Sequence, residues 1–213
     1  MCFSEQASFT TAAALSAMSI GCFRITKNHK LYALAAIPLV FAIQQIAEGV
    51  QWLHFKEIWG TSQQAWLAKN IYLFIAYCFW PSWLSFSLYL PENDTKRRQF
   101  LKALLIFGLL FSSYNLWKLY YLPTYSYPMG SSIYYDAPMA LIDLCPYICL
   151  VILPWLISSL PHMVPVGIIY GSSCLIAAYI SENHFTSIWC YFAALISLFI
   201  FFAIKAVFNL EKT

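Results

Sequence analysis

Charged residues are scarce in this chain. Only 10% of its 213 residues are Asp, Glu, Lys or Arg, against about 25% in an ordinary soluble domain. The net charge is only +3, which cannot form the basic face that nucleic-acid binding requires. The seven cysteines are an odd number and mostly fall inside apolar segments, so a disulfide framework is not expected. These shortages exclude a secreted disulfide scaffold and disfavour a nucleic-acid-binding protein.

Apolar residues are abundant instead. They make up 61% of the chain, aromatic residues make up 19%, and the mean hydropathy is +0.65. A soluble domain of this size has too little interior to bury so much apolar surface, which excludes a cytosolic enzyme. The apolar runs do not alternate with polar residues, as membrane β-strands would. The sequence therefore predicts an all-α, polytopic membrane protein.

The apolar runs predict seven transmembrane helices, because a bilayer core of about 30 Å needs about 20 residues per helix. We expect them to form one domain over residues 1–213. The predicted spans are 7–24, 31–54, 66–90, 100–121, 139–159, 163–181 and 187–208.

Basic residues predict the orientation, since they accumulate on the cytoplasmic side of a membrane. Nine of the 12 Lys and Arg residues fall on one side of the predicted spans. We therefore expect the N-terminus outside and the C-terminus in the cytoplasm. The nine residues are Arg24, Lys27, Lys30, Lys96, Arg97, Arg98, Lys102, Lys205 and Lys212.

A polar stripe interrupts the second predicted span. Gln44, Glu48 and Gln51 are spaced i, i+4, i+7, so they share one helical face, and Gln45 flanks them. An ionisable residue inside a span is costly and by default suggests a functional site. The alternative is that these side chains only hydrogen-bond between helices.

Other possible ligands collect near the predicted outer ends of the helices. Asp143, His184 and Cys190 carry the carboxylate, imidazole and thiol groups that hold zinc and similar metals. Removal of Met1 would also free an amino-thiol at Cys2. The spacing matches no standard zinc motif, and interfacial or simply apolar roles stay open for the histidine and cysteines.

The connection between the fourth and fifth predicted spans is long and rich in tyrosine. It spans residues 119–139, holds six tyrosines and carries Asp136 as its only charge. One interpretation is an aromatic loop at the membrane surface. The other is a lid over the outer mouth, in which Tyr134 and Tyr135 contact a lipid or sugar headgroup.

Several short stretches resemble an uncharacterised family of small bacterial multi-helix membrane proteins. The resemblance implies the same architecture and the bacterial inner membrane, and it assigns no catalytic residue. The opening residues fit an MCFSxxASF signature. The stretches are 1–9 (MCFSEQASF), 36–38 (AIP), 44–52 (QQIAEGVQW) and 187–194 (SIWCYFAA).

Three functions remain open from the sequence. The first is an outer-leaflet site that binds a metal or another cation, such as zinc, for hydrolysis of a lipid or small amphiphile. The second is a small transporter for a cation or a proton-coupled solute that uses Glu48, and the third is a structural or assembly factor without a site. The oligomeric state is open.

Each residue of the hypothetical metal site has a predicted role. Glu48 and Asp143 are the predicted catalytic residues. The predicted metal ligands are Cys2, Glu48, Asp143, His184 and Cys190. The predicted substrate contacts are Gln44, Gln45, Gln51, Tyr134 and Tyr135.

Overall fold

The computed structural model describes residues 4–130, 132–137, 140–180 and 185–210. Most of these residues are helical, with a two-stranded hairpin between the sixth and seventh helices. The helices are α1 (Glu5–Ile25), α2 (Tyr32–Ala35), α3 (Ile37–Phe55), α4 (Ser62–Phe74), α5 (Trp80–Tyr89), α6 (Thr95–Tyr121), α7 (Leu141–Ile157), α8 (Met163–Ile180), α9 (Phe185–Ile196) and α10 (Leu198–Leu210).

Some of these helices join end to end. A 3₁₀ turn at His29–Leu31 leads through α2 into α3, and a π-helical turn at Ile75–Phe79 joins α4 to α5. Only Ser197 separates α9 from α10. The described residues therefore form seven helical segments, in the places where the sequence predicts seven spans. The predicted all-α class is confirmed, and the segment ends differ from the predicted ones by a few residues.

Local sequence sets where several helices begin. The Ser4 hydroxyl accepts a hydrogen bond from the Ala7 amide over 3.2 Å, and the Asp94 carboxylate accepts one from the Arg97 amide over 2.9 Å. Thr61 and Gln64 form a reciprocal capping box. Each contact satisfies an amide that the first turn of a helix leaves without a partner.

Within the described residues, four segments are long and apolar enough to cross a membrane: His29–Phe55, Ser62–Tyr89, Thr95–Tyr121 and Ile188–Val207. Two shorter apolar helices cover Ile142–Ile157 and Met163–Ala177. Large apolar side chains of α6 point outwards, with Phe107 65% exposed. Such a surface is typical of contact with lipid. The span count of seven and the orientation stay predictions.

Two close helix contacts depend on glycine. A Cβ at Gly49 on α3 would lie 2.8 Å from the Phe9 ring of α1. A Cβ at Gly108 on α6 would lie 2.9 Å from the Pro81 carbonyl carbon of α5. Small residues let helix backbones approach in this way, so α1 packs along α3 and α6 packs along α5.

The hairpin was not foreseen from the sequence. Strand β1 (Tyr125–Met129) pairs antiparallel with β2 (Ser132–Asp136), and Gly130 takes a positive φ of 62° in the connection. Successive strand residues face opposite sides. The buried Ile133 and Tyr135 therefore share the inner face of the hairpin, where they pack with residues of α3, α4 and α9.

Candidate functional site

The polar stripe of α3 lies inside the bundle. Gln44, Gln45, Glu48 and Gln51 each have 0% of their surface exposed. An ionised carboxylate in such surroundings is costly unless it is paired. We call these four residues, together with Tyr72, Tyr135 and Cys190, the polar cluster.

Gln44 joins three helices within the polar cluster. Its side-chain oxygen accepts a hydrogen bond from Trp80 Nε1 of α5 over 3.3 Å. Its nitrogen donates to Cys190 Sγ of α9 over 3.2 Å. The Cys190 thiol also contacts the Tyr72 hydroxyl and lies within electrostatic range of Glu48. The predicted ligands Glu48 and Cys190 therefore lie near each other.

The hairpin covers the opposite end of the polar cluster. Gln51 Nε2 donates to the Tyr135 hydroxyl over 2.9 Å. The Tyr135 ring stacks on Tyr72, with centroids 4.2 Å apart and planes 3° apart. Tyr134 lies on the other face of β2, where its ring is 5.0 Å from Tyr127. Of the two predicted contact tyrosines, the described structure brings Tyr135 into the cluster and leaves Tyr134 outside it.

Two buried lysines contact the segments that precede and follow the hairpin. Lys69 Nζ donates to the Thr124 carbonyl and hydroxyl oxygens over 2.5 and 2.9 Å. Lys118 Nζ lies 2.6 Å from Asp143 Oδ2. These lysines lie on the predicted outer side, where basic residues are uncommon. Their contacts with Thr124, just before β1, and with Asp143, at the start of α7, explain their position on that side.

Asp143 has partners of its own. Besides Lys118, its carboxylate accepts a hydrogen bond from the Ala140 amide over 2.9 Å at the start of α7. Neither partner belongs to the polar cluster, and the charge of Asp143 is matched by Lys118. The structure therefore gives Asp143 a helix-capping and ion-pairing position.

The predicted metal site can be placed only in part. Cys2 and His184 lie outside the described residues. Among the residues that are described, no group of three His, Cys, Asp or Glu side chains is arranged to hold a metal ion. Binding of zinc by the five predicted ligands stays a prediction.

Pro81 leaves two backbone carbonyls without their usual helical hydrogen-bond donor. Pro81 has no amide hydrogen, so it cannot pair with the Tyr77 carbonyl in an α-helical register or with the Ala76 carbonyl in a π-helical one. Other helices supply donors instead. Asn115 Nδ2 donates to the Tyr77 oxygen over 3.3 Å, and the Tyr147 hydroxyl donates to the Ala76 oxygen over 2.5 Å. A proline inside a predicted span was the sequence signal for these contacts.

Between Gln44 and the start of α3, the bundle interior is lined by apolar side chains. A cavity of about 10 Å³ lies there, one to two turns before Gln44 along α3. This volume is at the lower limit for one water molecule, and most of the lining is apolar. Its lining includes Ile37, Phe41, Leu84, Trp155, Val166 and Tyr170.

Comparison with known proteins assigns the chain to a family. A family model described as a family of unknown function, DUF6629, matches residues 1–210, so the chain belongs to that family. No curated protein and no solved structure matches the chain.

Proposed function

We propose that this member of the family is a multi-pass protein of the bacterial inner membrane that binds a cation at Glu48, with the hairpin over the site on the outer side. The observation that carries the proposal is the complete burial of Glu48 between Gln44 and Gln51 on an apolar helix. An ionisable group in that position marks an ion or substrate site by default.

The burial of a carboxylate favours a binding site over simple helix–helix contact. Amide side chains such as Gln44 form hydrogen bonds between helices without a charge to desolvate. An ionised carboxylate adds a desolvation penalty of several kcal/mol, as an order of magnitude. A purely structural role would be served by Gln at position 48. A bound cation would add a favourable attraction against this penalty.

The hairpin gives the site a means of access. Two interactions of Tyr135 hold the hairpin to the cluster, the hydrogen bond from Gln51 and the stack on Tyr72. Each is worth about 0.5–1.5 kcal/mol. The buried side chain of Ile133 adds packing against the same cluster, so opening requires the Tyr135 contacts and this packing to break together. We infer that the ligand enters beside Tyr135.

The contacts of Asp143 favour cation binding over hydrolysis. Hydrolysis by a pair of carboxylates requires a second carboxylate beside Glu48. Asp143, the predicted partner, is paired with Lys118. The apolar closure beyond Gln44 argues against transport, because a transported ion would need a polar route through it.

The experiment compares the purified protein with two variants in detergent or nanodiscs. Thermal unfolding is followed with sodium, potassium, magnesium, zinc or tetramethylammonium chloride at constant ionic strength. A ligand at 100 times its Kd stabilises the folded state by about 2.7 kcal/mol. We expect at least one cation to stabilise the wild type and not Glu48→Gln.

Glu57→Gln is the matched control, because Glu57 is an exposed carboxylate just beyond α3. It should respond to cations as the wild type does. If no cation separates the wild type from Glu48→Gln, the proposed function is wrong.

A further inference from the structure

The first turns of α6 carry four exposed basic side chains. Among the described residues, none of the four forms an ion pair. The N-terminal end of a helix carries a partial positive charge, so basic residues are unfavourable there unless an anion lies nearby. The four residues are Lys96, Arg97, Arg98 and Lys102.

The two carboxylates that precede α6 have other partners. The Glu92 carboxylate accepts hydrogen bonds from the Ser159 amide and hydroxyl over 2.7 and 2.5 Å. The Asp94 carboxylate caps α6 through the Arg97 amide. With four basic and two acidic residues, the segment 92–102 carries a charge of +2. The start of α6 therefore presents a positive surface.

Neutral groups hold two of the basic side chains in place. Arg97 Nη1 donates to the Ile157 carbonyl oxygen at the end of α7 over 3.2 Å. The Arg98 Cζ atom lies 4.9 Å from the centroid of the Tyr89 ring. These contacts position the guanidinium groups and leave their charge uncompensated. Because ring contact does not use the N–H groups of Arg98, its planar fork can still bind two oxygens of one phosphate.

An exposed apolar face continues from these charges along α6. Arg98, Lys102 and Ile106 follow one another at intervals of four residues, and Leu109 lies one turn further, so they share one side of the helix. Ile106 is 50% exposed and Leu109 is 53% exposed. Of the four long apolar segments in the described residues, α6 has the smallest buried share, 17%. A ligand with an anionic head and an apolar tail matches this combination.

We propose that the Arg98 guanidinium and the Lys102 ammonium bind the phosphate of an anionic phospholipid whose acyl chains lie along the exposed face of α6. The site lies on the predicted cytoplasmic side, where anionic lipids attract basic segments next to a membrane helix. A lipid without net charge leaves the charge of +2 uncompensated. The site does not involve Glu48.

The test uses the full chain in phosphatidylcholine nanodiscs that contain a small fraction of photoactivatable phosphatidylglycerol or photoactivatable phosphatidylcholine. After illumination, peptide mass spectrometry counts the lipid cross-links on α6. One basic residue near the surface favours an anionic lipid by about fivefold, or about 1 kcal/mol. We therefore expect at least about a fivefold excess of phosphatidylglycerol on α6. High salt should remove this excess, because it screens exposed charges.

A pair of variants localises the interaction. Lys102→Gln should lower the excess of phosphatidylglycerol about fivefold. Lys30→Gln is the matched control, because Lys30 is another exposed lysine on the predicted cytoplasmic side and its loss changes the net charge equally. This control should be labelled as the wild type is. Both lysines are exposed, so neither substitution removes a buried contact.

The outcomes of this test are independent of the proposed function. Equal labelling of α6 by the two lipids in the wild type would overturn the proposal, even if a variant does not fold. An equal loss in Lys30→Gln and Lys102→Gln would also overturn it, since the whole basic surface would then attract the lipid. Unlabelled phosphatidylglycerol should compete for the site. Competition by inorganic phosphate at equal concentration would mean that the site binds phosphate rather than a lipid.

Discussion

Gln44 Nε2 donates a hydrogen bond to Cys190 Sγ over 3.2 Å, which joins two residues 146 positions apart in the chain. The contact brings α9 against the polar stripe of α3. Glu48 lies one turn further along α3 and within electrostatic range of the same thiol. The contact between Gln44 and Cys190 therefore brings residues of another helix next to the polar stripe of α3.

Loss of the Tyr135 hydroxyl should loosen the hairpin. Tyr135→Phe keeps the ring that stacks on Tyr72 but leaves Gln51 Nε2 buried without its acceptor. An unsatisfied buried donor costs about 1–3 kcal/mol. We expect faster hydrogen–deuterium exchange at the β1 and β2 amides. Tyr134→Phe is the control because Tyr134 lies on the opposite face of β2, and equal acceleration in both variants would contradict the prediction.

The ion pair between Lys118 and Asp143 can be tested by removing one charge. Asp143→Asn leaves the Lys118 ammonium buried without its counter-charge. Removal of one partner of a buried pair costs about 3–5 kcal/mol. We therefore expect a marked fall in the free energy of unfolding, measured by denaturation in detergent.

The double variant Lys118→Met with Asp143→Leu provides the comparison. Replacement of both charges by apolar residues of similar size is often nearly neutral, so most of the lost stability should return. A double variant as unstable as Asp143→Asn would mean that the single variant acts through something other than the uncompensated charge.

The contact between Gly108 and Pro81 predicts a steric effect. Gly108→Ala would place a Cβ 2.9 Å from the Pro81 carbonyl carbon, a backbone atom that cannot rotate away. Overpacking of this kind costs about 1–3 kcal/mol. We expect a lower unfolding temperature for this variant, although Ala is the better helix former.

Gly171→Ala is the matched helical control. Its added Cβ would meet Ile152 Cδ1 at an ordinary distance of 3.5 Å. Helix propensity should then raise its stability by up to about 1 kcal/mol. If both variants unfold at the same temperature, α6 and α5 are not in close contact at Gly108.

Glu92 should make stability depend on pH in mild acid. Burial alone would raise the pKa of this loop carboxyl, but hydrogen bonds from the Ser159 hydroxyl and the amides of Ser159, Asp94 and Asn93 outweigh it and lower the pKa below 4.5. A lowered pKa in the folded state means that the contribution is complete above pH 4.5. It is lost as pH falls from 4.5 through the folded-state pKa.

Glu92→Gln should therefore unfold more easily at neutral pH, by about 1–3 kcal/mol for hydrogen bonds to a charged group. The difference from the wild type should shrink as pH falls below 4.5. Thermal unfolding at several pH values measures it. A difference that stays constant from pH 7 to pH 3 would show that the Glu92 charge is not involved.

The sequence by itself predicted the helical segments and the polar stripe of α3. Apolar runs of about 20 residues have few alternatives to helix in a low-dielectric environment, because backbone groups must pair within the segment. The spacing of Gln44, Glu48 and Gln51 is a local property that needs no knowledge of neighbouring helices.

The hairpin and the partners of each polar residue depended on tertiary structure. Tyr135 could be assigned to the site, and Tyr134 to its outside, only once the β2 register was known. A shift of one residue exchanges the two faces of a strand. Nothing local in the sequence indicated that Lys118 would neutralise Asp143, since their pairing depends on how α6 and α7 meet.

The sequence thus determined which segments are helical and which residues are too polar to face lipid, because both follow from the cost of placing polar groups in an apolar medium. Only the tertiary structure decided which polar groups meet. Glu48 lies within electrostatic range of Cys190, which Gln44 and Tyr72 contact, while Asp143 is held by Lys118. Contacts between distant segments depend on the packing of whole helices, and residue spacing along one helix does not contain that information.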